Sequence, residues 1–242
     1  MAMVINTNMA SLNAQRHLSG SQSRLAKSME RLATGKRINS GQDDAAGLGI
    51  SSRLGGKIRA LNQSVRNAND GVSMAKAGDG ALAEVANMLE RMRELVNQKG
   101  DGALSAADKS AITAEMTSLQ TEITNIKTNT KFNGVDLLGG LNQTFTVGET
   151  DTYSLNVAAA SVAAGSTATS VEAAIDSVSK ARGNFGKAIT VLESRAKNSA
   201  ALAENLSAAR SQILDADIAA ETAEMTKANV LQQAGVSILA QA

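Results

Sequence analysis

Apolar side chains recur along this chain at alternating spacings of three and four residues. Leu54, Ile58, Leu61, Val65, Ala68 and Val72 form one such run, and Leu82, Val85, Leu89, Met92 and Val96 form a second. This is the a/d rhythm of helices that pack along a narrow seam. The two runs differ in phase, and Gly71, Gly78 and Gly80 lie near their join. Glycine lowers helix stability, so the pattern predicts either a bend or a tight contact there. Ile112, Met116, Leu119, Ile123 and Ile126 make a third run after the turn signal Lys99-Gly-Asp-Gly, with Ser105 placed to cap it. Residues 82–98 and 105–129 are therefore expected to form an antiparallel helix pair. Val171, Ile175, Val178, Arg182, Phe185, Ile189, Leu192 and Ala196 continue the rhythm in a fourth run, in which Arg182 reads as a register-setting or snorkelling residue.

The period changes between residues 130 and 170. Phe145, Val147, Tyr153, Leu155 and Val157 alternate on either side of Gly148-Glu-Thr-Asp151, which predicts a β-hairpin over about 144–157. Residues 158–170, rich in Ala, Ser, Thr and Gly, show no strong period and read as a surface loop.

Both chain ends are amphipathic. Ile5, Met9 and Leu12, followed by Leu18, Leu25, Met29 and Leu32, mark a stripe near the start; Leu202, Leu206, Ile213 and Leu214, then Leu231, Ile238 and Leu239, mark one near the end. Residues 1–53 hold seven basic against three acidic residues, a net +4, whereas residues 200–242 hold two against five, a net −3. Opposed charge and two apolar stripes predict that the ends pair as a coiled coil. A two-helix hairpin buries little surface while ordering costs roughly 1–2 kcal/mol per residue of backbone, so another copy of the chain is the expected cover.

Composition sharpens this picture. The 242 residues contain no Pro, where average usage of about 5% would give roughly a dozen, and proline is what interrupts helix interiors. Aromatic residues make up 2%, so small aliphatic side chains must fill the seams. The fold expected is mainly α, a long-helix antiparallel bundle or coiled coil with a small β-hairpin region.

Candidate chemistry is sparse. With no Cys and a lone His17, thiolate chemistry, disulfides and His-based zinc centres are excluded. The formal net charge of +1 and the scarcity of rings argue against nucleic acid. No apolar run reaches the roughly 18 residues of a membrane span. Asp43-Asp44 reads as N-capping and first-turn acids of the next helix, and Gly55-Gly-Lys57 lacks the remaining positions of a phosphate loop. No catalytic, metal or cofactor site is expected. The start of the chain lacks the basic and apolar regions of a cleaved signal, so any export from the cell is expected to use another route.

Longer motifs carry a resemblance. Ile5-Asn-Thr-Asn8, Gly35-Lys-Arg-Ile-Asn-Ser40, Asp43-Asp-Ala-Ala-Gly-Leu48 and Asn67-Ala-Asn-Asp-Gly71 closely resemble the N-terminal region of bacterial flagellin. Glu204-Asn-Leu-Ser-Ala-Ala-Arg210, Ala220-Glu-Thr-Ala223 and Leu231-Gln-Gln-Ala-Gly235 resemble its C-terminal region, and Phe132-Asn-Gly134 ahead of the hairpin matches as well.

The resemblance implies a structural subunit that polymerises with itself into the open helical filament of the bacterial flagellum. Its terminal assembly seams would contain Ile5, Met9, Leu12, Leu18, Leu25, Met29, Leu32, Leu206, Ile213, Leu231, Ile238 and Leu239. It implies a terminal coiled-coil domain from residues 1–44 and 186–242, a core domain over 45–185, and the short loop 158–170 in place of variable outer domains. Export through the growing filament, without a cleaved signal, would place the protein outside the cell, with a flagellar export chaperone, cap and hook-junction proteins as partners. A host toll-like receptor reads the helical domain of such proteins. Arg91, Leu95 and Glu115 fall on the positions used for contact, while Met92 and Asn97 depart from the common apolar pattern; contact with the neighbouring subunit is the expected primary role of that face. The family normally continues past the point matched by Ala240-Gln-Ala242, so a shortened C-terminus is expected. A hook-filament junction protein and a secreted effector using the same export route are the alternative readings.

Overall fold

The computed structural model describes residues 9–165 and 167–241. It is mainly helical: α1 (Met9–Thr34), α2 (Gly41–Lys99), α3 (Ala106–Asn129), β1 (Lys131–Phe132), β2 (Val135–Asp136), β3 (Leu141–Thr146), β4 (Thr152–Val157), α4 (Ala168–Leu214) and α5 (Ile218–Gln241). The chain divides into two compact units, one from residues 1–58 and 204–242 and the other from 59–203. These boundaries fall inside α2 and α4, whereas the motifs had placed them at 44/45 and 185/186.

In the 59–203 unit the core is built on an unbroken heptad. Along α2 the buried Leu61, Ser64, Ala68, Gly71, Ala75, Gly78, Leu82, Val85, Leu89 and Met92 follow one another three and four apart, with Val72, Met74 and Leu95 buried beside them. The apparent phase change between the two apolar runs disappears, because small residues carry the seam across it. Gly71 and Gly78 are the tight contacts: a Cβ at 71 would meet Leu192 at 2.9 Å, and one at 78 would meet Phe185 at 2.5 Å. Gly80 faces open space. α4 answers with Val171, Ala174, Val178, Ala181, Phe185, Ala188 and Leu192, all buried. The larger Ile175 and Ile189 flank this seam half-buried, and Arg182 pairs with Asp79 across it, Nε to Oδ1 at 2.9 Å.

α3 starts at a capping box. The Asp108 N–H donates to Ser105 Oγ at 3.2 Å, and the Ser105 N–H donates to Asp108 Oδ2 at 3.1 Å. Ile112, Met116 and Ile123 turn into the core. The anticipated hairpin is present, with Phe145 opposite Tyr153 and Gln143 opposite Leu155. A second, two-residue hairpin precedes it, closed by Asn133 and Gly134 at φ 49° and 81°. Successive left-handed residues are the signature of the tightest hairpin turn, and Asn-Gly is its preferred sequence.

Three side chains fix the tip of the longer hairpin by donating to consecutive carbonyls. Asn67 Nδ2 reaches Thr146 O at 3.0 Å, Ser199 Oγ reaches Val147 O at 3.1 Å, and Ser64 Oγ reaches Gly148 O at 2.9 Å. Buried serines in the seam are thus hydrogen-bonded, as burial of a hydroxyl requires.

Residues 158–165 correct the expectation of a surface loop. Ala160, Val162 and Ala164 are buried in the core cluster while Ser161, Ala163 and Gly165 are exposed, the alternation of an extended strand.

In the unit formed by 1–58 and 204–242, α1 and α5 pack against each other. The connection from α1 into α2 is held by Asp43. Its Oδ2 accepts from the N–H groups of Asn39 and Ser40 at 3.2 and 3.1 Å, and its Oδ1 pairs with Lys27 at 2.7 Å. Asp44 is extended (φ −165°, ψ 100°) and accepts from the Gly47 N–H at 2.8 Å. Both acids therefore cap the start of α2, as their position before the helix implied.

Candidate assembly and recognition surfaces

The face of α1 turned towards α5 is a heptad of small and large residues. Ser21 and Ser28 are buried; Leu18, Leu25 and Leu32 beside them are half-buried. Ser21 Oγ donates to His17 O at 2.9 Å, so its hydroxyl is satisfied within its own helix. On α5 the inward positions are Glu221, Met225, Ala228, Gln232 and Gly235. Gly235 lies against Leu18, at 3.6 Å from the site of an added Cβ.

Near the other end of the pair, Arg31 NH1 bonds Glu221 Oε1 at 2.6 Å, with both side chains mostly covered. Beyond it the two backbones run antiparallel: the Arg37 N–H donates to Leu214 O at 2.7 Å and the Ala216 N–H to Gly35 O at 3.0 Å. Arg37 NH2 also donates to Ile213 O at 2.8 Å. The opposed charges of the chain ends thus meet in Arg31 and Glu221.

Several residues expected in this seam lie outside it. Met9, Leu12 and Met29 are exposed at 60%, 42% and 55%, and Leu231 is exposed at 44%. Leu206 and Ile213 are half-buried. Ile5 lies outside the described residues, as do the side chains of Ile238 and Leu239. The reason is steric: two helices approach closely where Ser, Ala and Gly face each other, and those positions set the phase of the pair. The bulkier apolar residues one step away are left outward.

α5 shows this most clearly. Ile218, Ala219, Thr222, Ala223, Thr226, Val230 and Leu231 form one exposed, largely apolar strip with Lys227 at its edge. The strip lies on the side opposite Glu221, Ala228 and Gly235. Apolar strips of this kind mark interaction surfaces.

The second predicted site is divided by the structure. Arg91 and Glu115 are exposed on facing helices and joined, with Arg91 Nε and NH2 at 3.2 and 3.1 Å from Glu115 Oε1. Arg91 NH1 also bonds Glu94 Oε2 at 2.9 Å, and the Arg91 guanidinium is held above its usual pKa first by Glu94 and then by Glu115. Leu95, expected on the same surface, is instead 1% exposed and belongs to the core. Residue 95 follows Met92 by three, about one turn on, and packs in the same core cluster. Met92 is buried with it, and Asn97 is exposed.

Three contributors carried weaker signals. Ser64 and Ser199 look like solvated residues in the sequence yet hold the hairpin tip. Gln120 on α3 anchors residues 162 and 164. Among the described residues no group of three or more His, Asp or Glu converges as a metal site, and no helix is long and apolar enough to cross a membrane.

Comparison with known proteins gives two family matches. The model of the bacterial flagellin N-terminal helical region matches residues 5–143, and that of the bacterial flagellin C-terminal helical region matches residues 168–242. The B-type flagellin of Pseudomonas aeruginosa is 49% identical over 140 residues, covering 58% of this chain but only 29% of that protein. Flagellin of Halalkalibacterium halodurans is 37% identical over 260 residues, covering 99% of this chain and 96% of that one. Flagellin of Bacillus subtilis is 35% identical over 292 residues, with the same coverage of 99% and 96%.

Proposed function

Because the chain belongs to the bacterial flagellin family, we propose that it is the structural subunit of the flagellar filament, polymerising with itself outside the cell to serve motility. One observation carries this reading. The exposed large hydrophobics Met9, Leu12, Met29, Ile50, Ile218, Val230, Leu231 and Val236 all belong to the unit formed by the chain ends, and among the described residues only Leu202 belongs to the other. The ends pair through small residues, half-buried leucines and one ion pair, and they leave several other bulky apolar side chains for contacts between copies. Head-to-tail contacts that do not close on themselves produce an open helical polymer. The test is seeded polymerisation of the purified chain, followed by electron microscopy. Filaments made of this chain alone support the proposal; a soluble monomer that never elongates a seed refutes it, and the junction-protein reading would take its place.

The Arg91–Glu94–Glu115 cluster supports a second proposal, that a host toll-like receptor of innate immunity reads this face of the α2–α3 pair. A fixed guanidinium between two carboxylates offers a polar hot spot of the kind interfaces use. An export chaperone, cap and hook-junction proteins are the further partners proposed for a subunit of this kind. A receptor reporter assay with Arg91→Ala and Glu115→Ala tests the recognition, and an unchanged response in both variants removes it.

A further inference from the structure

Residues 158–165 carry no regular secondary structure, yet they pack as a strand does, with Ala160, Val162 and Ala164 at 2%, 4% and 8% exposure and their neighbours outward. Among the described residues no strand pairs with them. The place of a partner strand is taken by one side chain: Gln120 Nε2 donates to Val162 O at 3.1 Å, and Gln120 Oε1 accepts from the Ala164 N–H at 2.8 Å. A primary amide offers one donor and one acceptor on the same plane, which is what a peptide group of a neighbouring strand would offer. Farther up, the Ser161 N–H donates to Ser177 Oγ at 2.8 Å. The segment ends beside a small cleft lined by Met92, Met116, Thr113, Thr117 and Gln120.

We propose that residues 160–164 form a releasable strap over the α2–α3–α4 core, with Gln120 as its latch. The inward side chains are Ala, Val and Ala, buried in the core cluster but small, so the strap buries less apolar surface than the Leu, Met and Phe side chains that hold the helices together. Its attachment to α3 depends on the two hydrogen bonds of Gln120. Elements held by few apolar contacts and few hydrogen bonds open below the free energy of global unfolding. Opening the latch lifts Val162 and Ala164 away and uncovers Met92 and Met116, while the helices stay packed through Leu82, Leu89, Phe185 and Leu192. The strap is therefore a local gate between a sealed and an uncovered form of the bundle. Gln120 acts by position, through the backbone of the strap.

The experiment is native hydrogen exchange on the full chain, with digestion by elastase, which cleaves after small apolar residues, as a second readout. Gln120→Ala removes both bonds. Gln120→Glu keeps an acceptor for the Ala164 N–H but sets a carboxylate against Val162 O. The alanine variant is expected to raise cleavage within 158–165 by about tenfold, the effect of losing one to two hydrogen bonds, and exchange at Ala164 by less, because that N–H also donates to Val162 O at 3.0 Å. Amides inside α3 and α4 keep their protection. The glutamate variant is expected to raise cleavage while sparing the Ala164 amide. The proposal is overturned if both variants stay within about twofold of the parent chain, or if protection falls equally across α3 and α4, which would make Gln120 an ordinary contributor to global stability.

Discussion

The Phe185 ring fills the space that a side chain at residue 78 would need. A Cβ placed on Gly78 would stand 2.5 Å from Phe185 Cζ and 2.8–2.9 Å from the two Cε atoms. Phe185 is fully buried, so its ring has little room to withdraw. Gly78→Ala is therefore expected to destabilise the 59–203 unit by about 1–3 kcal/mol through overpacking. That outcome runs against the roughly 1 kcal/mol that alanine gains over glycine in a helix. Gly80→Ala, two residues along and facing open space, should show only the gain. Denaturant midpoints of the two variants, compared with the parent, check the contrast.

These glycines explain how much of the fold was legible. Aliphatic periodicity located every long helix and the antiparallel pairing of the two ends, because burial of apolar stripes is what holds such helices in place. It also placed the large residues of the seam, Leu61, Leu82, Val85, Leu89 and Met92 on α2 and Val178, Phe185 and Leu192 on α4, and missed the small ones between them. The buried residues it passed over are Ser64, Gly71, Ala75 and Gly78 on α2, Ala174, Ala181 and Ala188 on α4, and Ser21 and Ser28 on α1. None of them scores as hydrophobic in the way Leu or Ile does, yet close approach of two backbones requires them. In a chain almost without aromatic residues, shape complementarity moves to the small side chains. Leu95 and the strap at 160–164 were misread for related reasons. Leu95 was assigned to the surface by resemblance and stands one position off the three-and-four run, which passes through Val96, and the period-two signal of the strap is carried largely by Ala, which marks no preference for inside or outside.

Leu95→Ala should behave as a core truncation and cost about 2–5 kcal/mol, whereas Arg91→Ala should leave stability close to that of the parent. Thermal or denaturant unfolding separates the two. A receptor assay on the Leu95 variant would then report on folding, which is why Arg91 and Glu115 are the residues to substitute.

Arg31 and Glu221 should be coupled. Replacing Glu221 by Gln removes the carboxylate from a largely covered pair, and the loss expected is about 1.5–3 kcal/mol, the worth of a hydrogen bond to a charged group. Hydrogen exchange in α1 and α5 reads it directly: amides on both sides of the pair should exchange faster while those of the 59–203 unit stay unchanged. A double-mutant cycle with Arg31→Met should return a coupling of the same sign, and additive effects would contradict the pairing.

Acid should loosen two helix starts first. Lys27, with the N–H groups of Ser40 and Asn39, holds Asp43 well below its ordinary carboxylate pKa of 3.8. The Ser105 hydroxyl and N–H lower Asp108 in the same way. A carboxylate whose folded pKa is depressed contributes stability that is complete above its unfolded value and is lost as the pH falls through the folded one. The caps of α2 and α3 should therefore be intact from neutral pH down to about 4 and weaken below it. Carboxyl carbon shifts followed by NMR should show both acids titrating below the ordinary Asp range. Protonation of either at the ordinary value would contradict the capping geometry.

The central claim is that the outward apolar strip of α5 joins copies of the chain. Val230 and Leu231 are exposed at 59% and 44% and make no part of the α1–α5 seam, so Val230→Ser and Leu231→Ser should leave the monomer's helicity and unfolding midpoint unchanged. Full burial of such a side chain contributes about 1.5–3 kcal/mol, which is roughly a ten- to hundredfold change in the concentration needed to elongate a filament. The decisive measurement is that critical concentration, determined by seeded elongation of the parent chain and of the two variants. The account predicts a rise of at least about tenfold for each variant with an intact monomer. Elongation at the parental concentration by both variants would contradict it.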